Sequence, residues 1–197
     1  MSHSHYLKPL LRVGMLVSVV LPPALAQSPA KLTLQIVPTT YSSVISAEPS
    51  IDFSNTPHFH VLLTNTSALP LALFEEWNSW GYYGLSFAIT YPGGRTVRAV
   101  KAPRAWTRNF PSTITLAPGG FYVFDVDFDP NTWQNSPLQQ LPPIQKKAAG
   151  DSTRCRMRAI YTIAPDDEPR KNFGTRKGVS VWTGSVTSAE KTYILWP

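Results

Sequence analysis

His58 and His60 stand two apart in a stretch that reads as a β-strand, so both rings would face one side, close enough to share a metal ion. His3 and His5, the other histidines, lie near the start of the chain, so a third ligand would have to be a carboxylate. The alternative is two polar residues on the outer face of a strand. Cys155 and Met157 together with two histidines raise the question of blue copper, but such sites place a histidine after the cysteine and none follows Cys155. Cys155, Met157, Ala159 and Tyr161 alternate with arginines, which reads the cysteine as a small buried hydrophobe. No cofactor is expected.

On the opposite face of that strand Arg154, Arg156 and Arg158 would form a row spanning about 13 Å, at about 3.3 Å per residue. The row could grip an anionic surface polymer, and Arg95, Arg98, Lys101, Arg104 and Arg108 add charge in a stretch without an acid. It could equally pair across strands with the acidic row Asp125, Asp127 and Asp129. Glu75 to Gly84 concentrates Trp77, Trp80, Tyr82 and Tyr83 with two acids. Aromatic side chains in a loop can anchor a protein partner or stack on a sugar, because they bury much area for little entropy. Trp77 and Trp80 could instead plug the end of the fold, with Asn78 and Gly81 shaping the turn. Trp106-Thr107-Arg108-Asn109 and Trp182-Thr183-Gly184 could join the cluster. For catalysis there is no G-x-S-x-G, no suggestive Cys-His pair and no phosphate-binding Gly-rich loop. Glu75 and Glu76 are adjacent, so in a strand they would face opposite ways. An enzyme is not expected.

The elements that must position these residues read as strands: short Val, Ile, Thr, Phe and Tyr stretches separated by Pro, Gly, Asn and Ser. Leu32, Leu34 and Ile36 share one face of a first strand. Phe59 to Leu63 and Leu69 to Phe74 flank the polar turn Asn65-Thr66-Ser67. Leu85 to Tyr91 returns through Pro92-Gly93-Gly94 to Arg95–Val100 as a hairpin. A second hairpin is expected from Thr113–Leu116 through Pro118-Gly119-Gly120 to Phe121–Phe128, with Tyr122, Phe124, Val126 and Phe128 on one face. Asp129 to Gly150 reads as a long Pro-rich loop with one helical turn. Strands resume at Arg154–Ile163, Val179–Val186 and Thr192–Trp196, after a charged stretch from Pro165 to Lys177. Seven to nine strands without long helices predict an all-β fold of two antiparallel sheets packed face to face, with a closed barrel as the rival.

Lys8 and Arg12 precede an apolar run from Val13 to Leu21, which Pro22 and Pro23 stop. A membrane helix needs about 20 apolar residues, so this is an export signal, with Ala24 and Ala26 predicting cleavage before Gln27. Residues 1–26 are the expected signal and 27–197 a single domain, secreted or periplasmic, without a membrane span once the signal is removed. The formal charge of +6 becomes +4 when Lys8 and Arg12 leave, a balance that names no partner and gives no nucleic-acid signal. Cys155 is the only cysteine, so no disulfide can staple the chain, and a bacterial envelope or extracellular protein is the expectation.

Phe59-His60-Val61-Leu62-Leu63-Thr64-Asn65-Thr66-Ser67, then Leu116-Ala117-Pro118-Gly119, then Arg158-Ala159-Ile160-Tyr161, resembles a bacterial immunoglobulin-like sandwich over roughly Leu32 to Leu195. Within that group the layout is similar to the bacterial intracellular proteinase inhibitor family, whose members act on subtilisin-like serine proteases. The resemblance implies an immunoglobulin-like antiparallel β-sandwich in which the Arg154 and Asp125 rows belong to opposite sheets and are both exposed. An export signal departs from an intracellular family. The expected function is an exported, non-enzymatic protein-binding module, protease inhibition being its sharpest version, through Asp129–Gly150 or Pro165–Lys177. The alternatives are a structural or adhesive envelope protein holding an anionic polymer, and a metal-binding domain.

Overall fold

The computed structural model describes residues 31–41, 49–54, 56–140, 152–165 and 181–196. The expected export signal, residues 141–150 of the Asp129–Gly150 stretch and residues 166–177 of the Pro165–Lys177 stretch, the two expected to carry an inhibitory loop, lie outside them. Along the chain run β1 (Leu32–Pro38), β2 (Thr40–Tyr41), β3 (Pro49–Asp52), β4 (Phe59–Asn65), β5 (Leu71–Phe74), the single-turn α1 (Ser79–Tyr82), β6 (Leu85–Thr90) and β7 (Thr96–Lys101). They are followed by β8 (Thr113–Leu116), β9 (Phe121–Val126), β10 (Trp133–Gln134), α2 (Pro137–Gln140), β11 (Thr153–Ile163), β12 (Gly184–Thr187) and β13 (Lys191–Trp196). The strands exceed the seven to nine expected because β2, β10 and other short pairings carry no periodicity that a sequence could show.

A small sheet runs β1-β4-β9, a large one β10-β7-β6-β11-β13-β3-β2 with β12 also on β11, and β5 pairs with β8. Pairing is antiparallel except between β13 and β3, and the sheets stay separate, so no barrel closes. The reason is alternation. Leu32, Leu34 and Ile36 of β1, Phe59, Val61 and Leu63 of β4, and Cys155, Met157, Ala159 and Tyr161 of β11 are buried on one face of their strands, as their spacing predicts. The two inner faces share one core: Phe59 and Phe128 meet Phe87 of the large sheet at 5.4 and 5.3 Å between ring centroids, and Phe124 meets Tyr161 at 5.6 Å. Burial pushes the Cys155 thiol up to about 12, which leaves it an inert core group.

The β6–β7 hairpin forms as expected. The second expected hairpin does not: β8 pairs with β5, and β9 pairs with β4. Asn65 accounts for the difference. Its backbone carbonyl accepts from the Gly119 N–H, where φ is +74° and suits glycine, and its own N–H donates to the Gly120 carbonyl, both at 2.9 Å. Its fully buried side chain donates to the carbonyls of Leu69, Leu116 and Ala117 and accepts from the N–H and hydroxyl of Ser67. One amide thus fastens two corners and sends β8 and β9 to different sheets. Asn65→Ala removes the bonds that join these carbonyls to Ser67, the Leu69 and Ala117 carbonyls keeping only their bonds from the Ser67 hydroxyl and the Gly120 N–H, and should cost about 2 kcal/mol, checked by urea unfolding; a change below about 0.5 kcal/mol would contradict this role.

The start of the Asp129–Gly150 stretch is also anchored. The Asp129 carbonyl accepts from the N–H groups of Thr132 and Trp133, β10 pairs with β7, and Trp133 is fully buried against Phe87 and Phe128. The expected helical turn is present as α2.

Candidate functional site

The turn after β5 is built by Asn78. It caps α1, its side-chain oxygen accepting from the N–H groups of Trp80 and Gly81, each at 3.1 Å, while its amide donates to the Ser112 carbonyl at 3.0 Å. Asn78 is fully buried, so these bonds tie the aromatic turn to the segment before β8. Ser79 and Asn109 exchange bonds in both directions, at 2.9 and 2.8 Å. Glu75 accepts from the Trp77 indole at 2.9 Å and from the Ser112 hydroxyl.

This clamp divides the aromatic residues. Tyr82 is buried, and Trp80 packs on Phe74 at 6.3 Å, so these two close the end of the core. Trp77 and Tyr83 stay 39% and 47% exposed, and across from Trp77 stands Phe110, 50% exposed, with its ring 4.6 Å away. Between the two segments lies a cleft of about 410 Å³ whose walls include Trp77, Arg104, Trp106, Arg108 and Phe110. Arg104 is held between two rings: its guanidinium carbon lies 5.0 Å from the Trp106 centroid and 5.9 Å from that of Tyr82, and its backbone N–H donates to the Tyr83 hydroxyl. Neither Arg104 nor Arg108 has an ion pair among the described residues.

No protein family, curated protein or solved structure matches this chain. The chemistry of the cleft therefore follows from its own side chains: an apolar floor flanked by two cations, which suits an anionic group borne on an apolar body.

Behind the cleft, Lys101 points inward, its ammonium 4.4 Å over the Trp133 ring and 5.2 Å over Tyr82, with a Glu76 carboxylate oxygen at 3.9 Å. Tyr122 donates to the same carboxylate at 3.4 Å. Burial raises Glu76 and lowers Lys101, each partly opposed by the partner's charge. Lys101, expected to add its charge to that of its basic stretch, is turned inward instead, and the alternation Val97, Ala99, Lys101 is the signal that it faces in. Phe110 also escaped the sequence reading, while Trp106 and Arg108 join the cluster as anticipated. Trp182 does not, because it stacks on Tyr161 at 5.8 Å.

The structure gives His58 and His60 different surroundings. His58 precedes β4 and is buried against Phe53 at 5.0 Å, whereas His60 faces outward to Asp125 at 2.8 Å. Among the described residues no group of three His, Cys, Asp or Glu side chains could hold a metal ion. The expected acidic row does not form as a row, because β9 ends at Val126 and only Asp125 lies on it, opposite His60 of β4, while Asp127 and Asp129 follow the strand; the arginine row is on the other sheet, and Arg156 holds Glu190 at 3.2 Å.

Proposed function

We propose that the chain is an exported, non-enzymatic protein-binding module on an immunoglobulin-like β-sandwich, and that its partner docks in the cleft between the aromatic turn and residues 104–112. The observation that carries this reading is a prefolded cleft in which Trp77 and Phe110 remain half exposed beside two arginines that have no carboxylate partner among the described residues. Aromatic and arginine side chains held rigid before binding are the residues that most often dominate association energy, since little entropy remains to be lost. The partner segment that fits carries a carboxylate next to an apolar side chain. The run from Val13 to Leu21 with its following A-x-A supports export, and the small sheet facing a larger one supports the sandwich.

A displayed library of random peptides, selected on the purified protein, tests the reading. Recovered peptides should combine acidic and apolar side chains, and Trp77→Ala and Arg104→Gln should each weaken their binding by about tenfold or more. No enrichment over background, or binding indifferent to both substitutions, would refute it.

A further inference from the structure

The outer face of the large sheet is a second surface, independent of the cleft. On β11 Arg154, Arg156 and Arg158 are exposed on one face, about 6.6 Å apart along the strand. Arg158 lies opposite Ala88, which lies opposite Arg98 of β7, so the backbone of a fourth exposed arginine stands about 10 Å away across two strand spacings, with its side chain reaching back over β6. The other intervening positions carry hydroxyls: Arg156 lies opposite Thr192 on one side and Thr90 on the other, and the Thr90 and Thr96 hydroxyls bond at 2.8 Å. Arg98 is oriented by the Ser86 hydroxyl at 3.0 Å. Glu190 offsets part of the charge through Arg156, whereas Arg158 has no ion pair among the described residues.

We propose that this face binds a linear acidic polysaccharide along β11, with Arg98, Arg154, Arg156 and Arg158 meeting its anionic groups and the exposed Thr96 and half-buried Thr192 hydroxyls meeting its own, while Ser86 and Thr90 lie buried beneath them. A row of cations at fixed spacing on a rigid strand matches an extended polyanion, and a hydroxyl-lined floor matches a hydroxylated one. Single-stranded nucleic acid would call for aromatic rings to stack its bases, and a membrane for apolar side chains to insert; Thr90, Ala88, Ser86 and Thr96 supply neither.

Binding to heparin, a sulfated chain, and to polygalacturonate, a carboxylated one, is measured at rising salt; the tighter of the two identifies the anionic group. Arg98 and Arg158, which hold no carboxylate among the described residues, each releasing a counterion with the slope of about 0.7 that single-stranded nucleic acids show, give about a sevenfold loss of affinity between about 0.05 and 0.2 M NaCl. In Arg98→Gln/Arg156→Gln/Arg158→Gln the loss over that range should shrink below about threefold, with affinity at low salt reduced. All three side chains are exposed, so the urea midpoint should hold. Arg104→Gln/Arg108→Gln, which alters the cleft, should leave polysaccharide binding as in the wild type. Unchanged binding in the triple variant would overturn the proposal, as would an equal loss in the cleft variant or tighter binding to phosphatidylserine vesicles than to either polysaccharide.

Discussion

Gly81→Ala is expected to abolish peptide binding at the cleft while both sheets remain folded. A Cβ on Gly81 would lie 2.3 Å from the Glu75 carbonyl oxygen, 2.6 Å from its carbon and 2.7 Å from the Phe74 carbonyl oxygen. All three are backbone atoms and cannot swing aside, so the turn itself must open. Opening it strips Asn78 of the N–H groups it caps, worth about 1 kcal/mol, and adds overpacking of about 1–3 kcal/mol, so stability should fall by about 3 kcal/mol. The turn joins β5 to β6 at the end of the fold, so the core around Phe87 is untouched and the far-UV β signal should persist. Affinity for the selected peptides should drop by about a hundredfold or more, because Trp77, Tyr83 and the Arg104 support move together. Should Gly81→Ala leave too little folded protein, Asn109→Ala removes only the exposed bonds to Ser79 and should weaken binding severalfold with little change in stability. Wild-type affinity in either variant would mean that the turn does not form the site.

Lys101→Met should destabilise the protein by about 3 kcal/mol at neutral pH, the low end of the range for breaking a buried pair, because Glu76 keeps 28% of its side chain exposed. Methionine retains the aliphatic stem against Trp133 and Tyr82, so the loss is electrostatic: Glu76 is left half-buried without its cation. The dependence on pH gives the sign. Burial raises Glu76, and a carboxyl whose pKa rises on folding contributes stability that is fully present below its unfolded value of 4.5 and is lost as pH rises through the folded value. Without Lys101 that loss deepens at neutral pH and vanishes once Glu76 is protonated. The destabilisation should therefore shrink to below about 1 kcal/mol at about pH 4, and Glu76→Gln in the same chain should restore most of the stability at pH 7. Urea unfolding at the two pH values decides; equal destabilisation at both would mean that Lys101 acts through packing alone.

The alternation of β11 and of β1, and the β6–β7 hairpin, could be read directly, because a half-buried strand writes its orientation into every second residue. The Pro118-Gly119-Gly120 turn was equally visible, but a turn states that the chain reverses and not which strand receives it. That choice rests on Asn65, more than fifty residues earlier, whose bonds no local pattern reveals. In the site, the aromatic turn and Trp106 announced themselves by composition. The opposing wall did not, because Phe110 faces Trp77 only through the Asn78–Ser112 and Ser79–Asn109 clamp. The two histidines shared a spacing but not an environment, since strand β4 begins only after His58.

Oxidative footprinting of the protein with and without a selected peptide tests the central claim most directly. Protection should appear at Trp77, Trp106 and Phe110 and be absent at Phe121 and Val123, which are 61% and 41% exposed on the small sheet and provide the competing apolar surface. Protection of Phe121 and Val123 with Trp77 and Phe110 unchanged would contradict the cleft as the binding site.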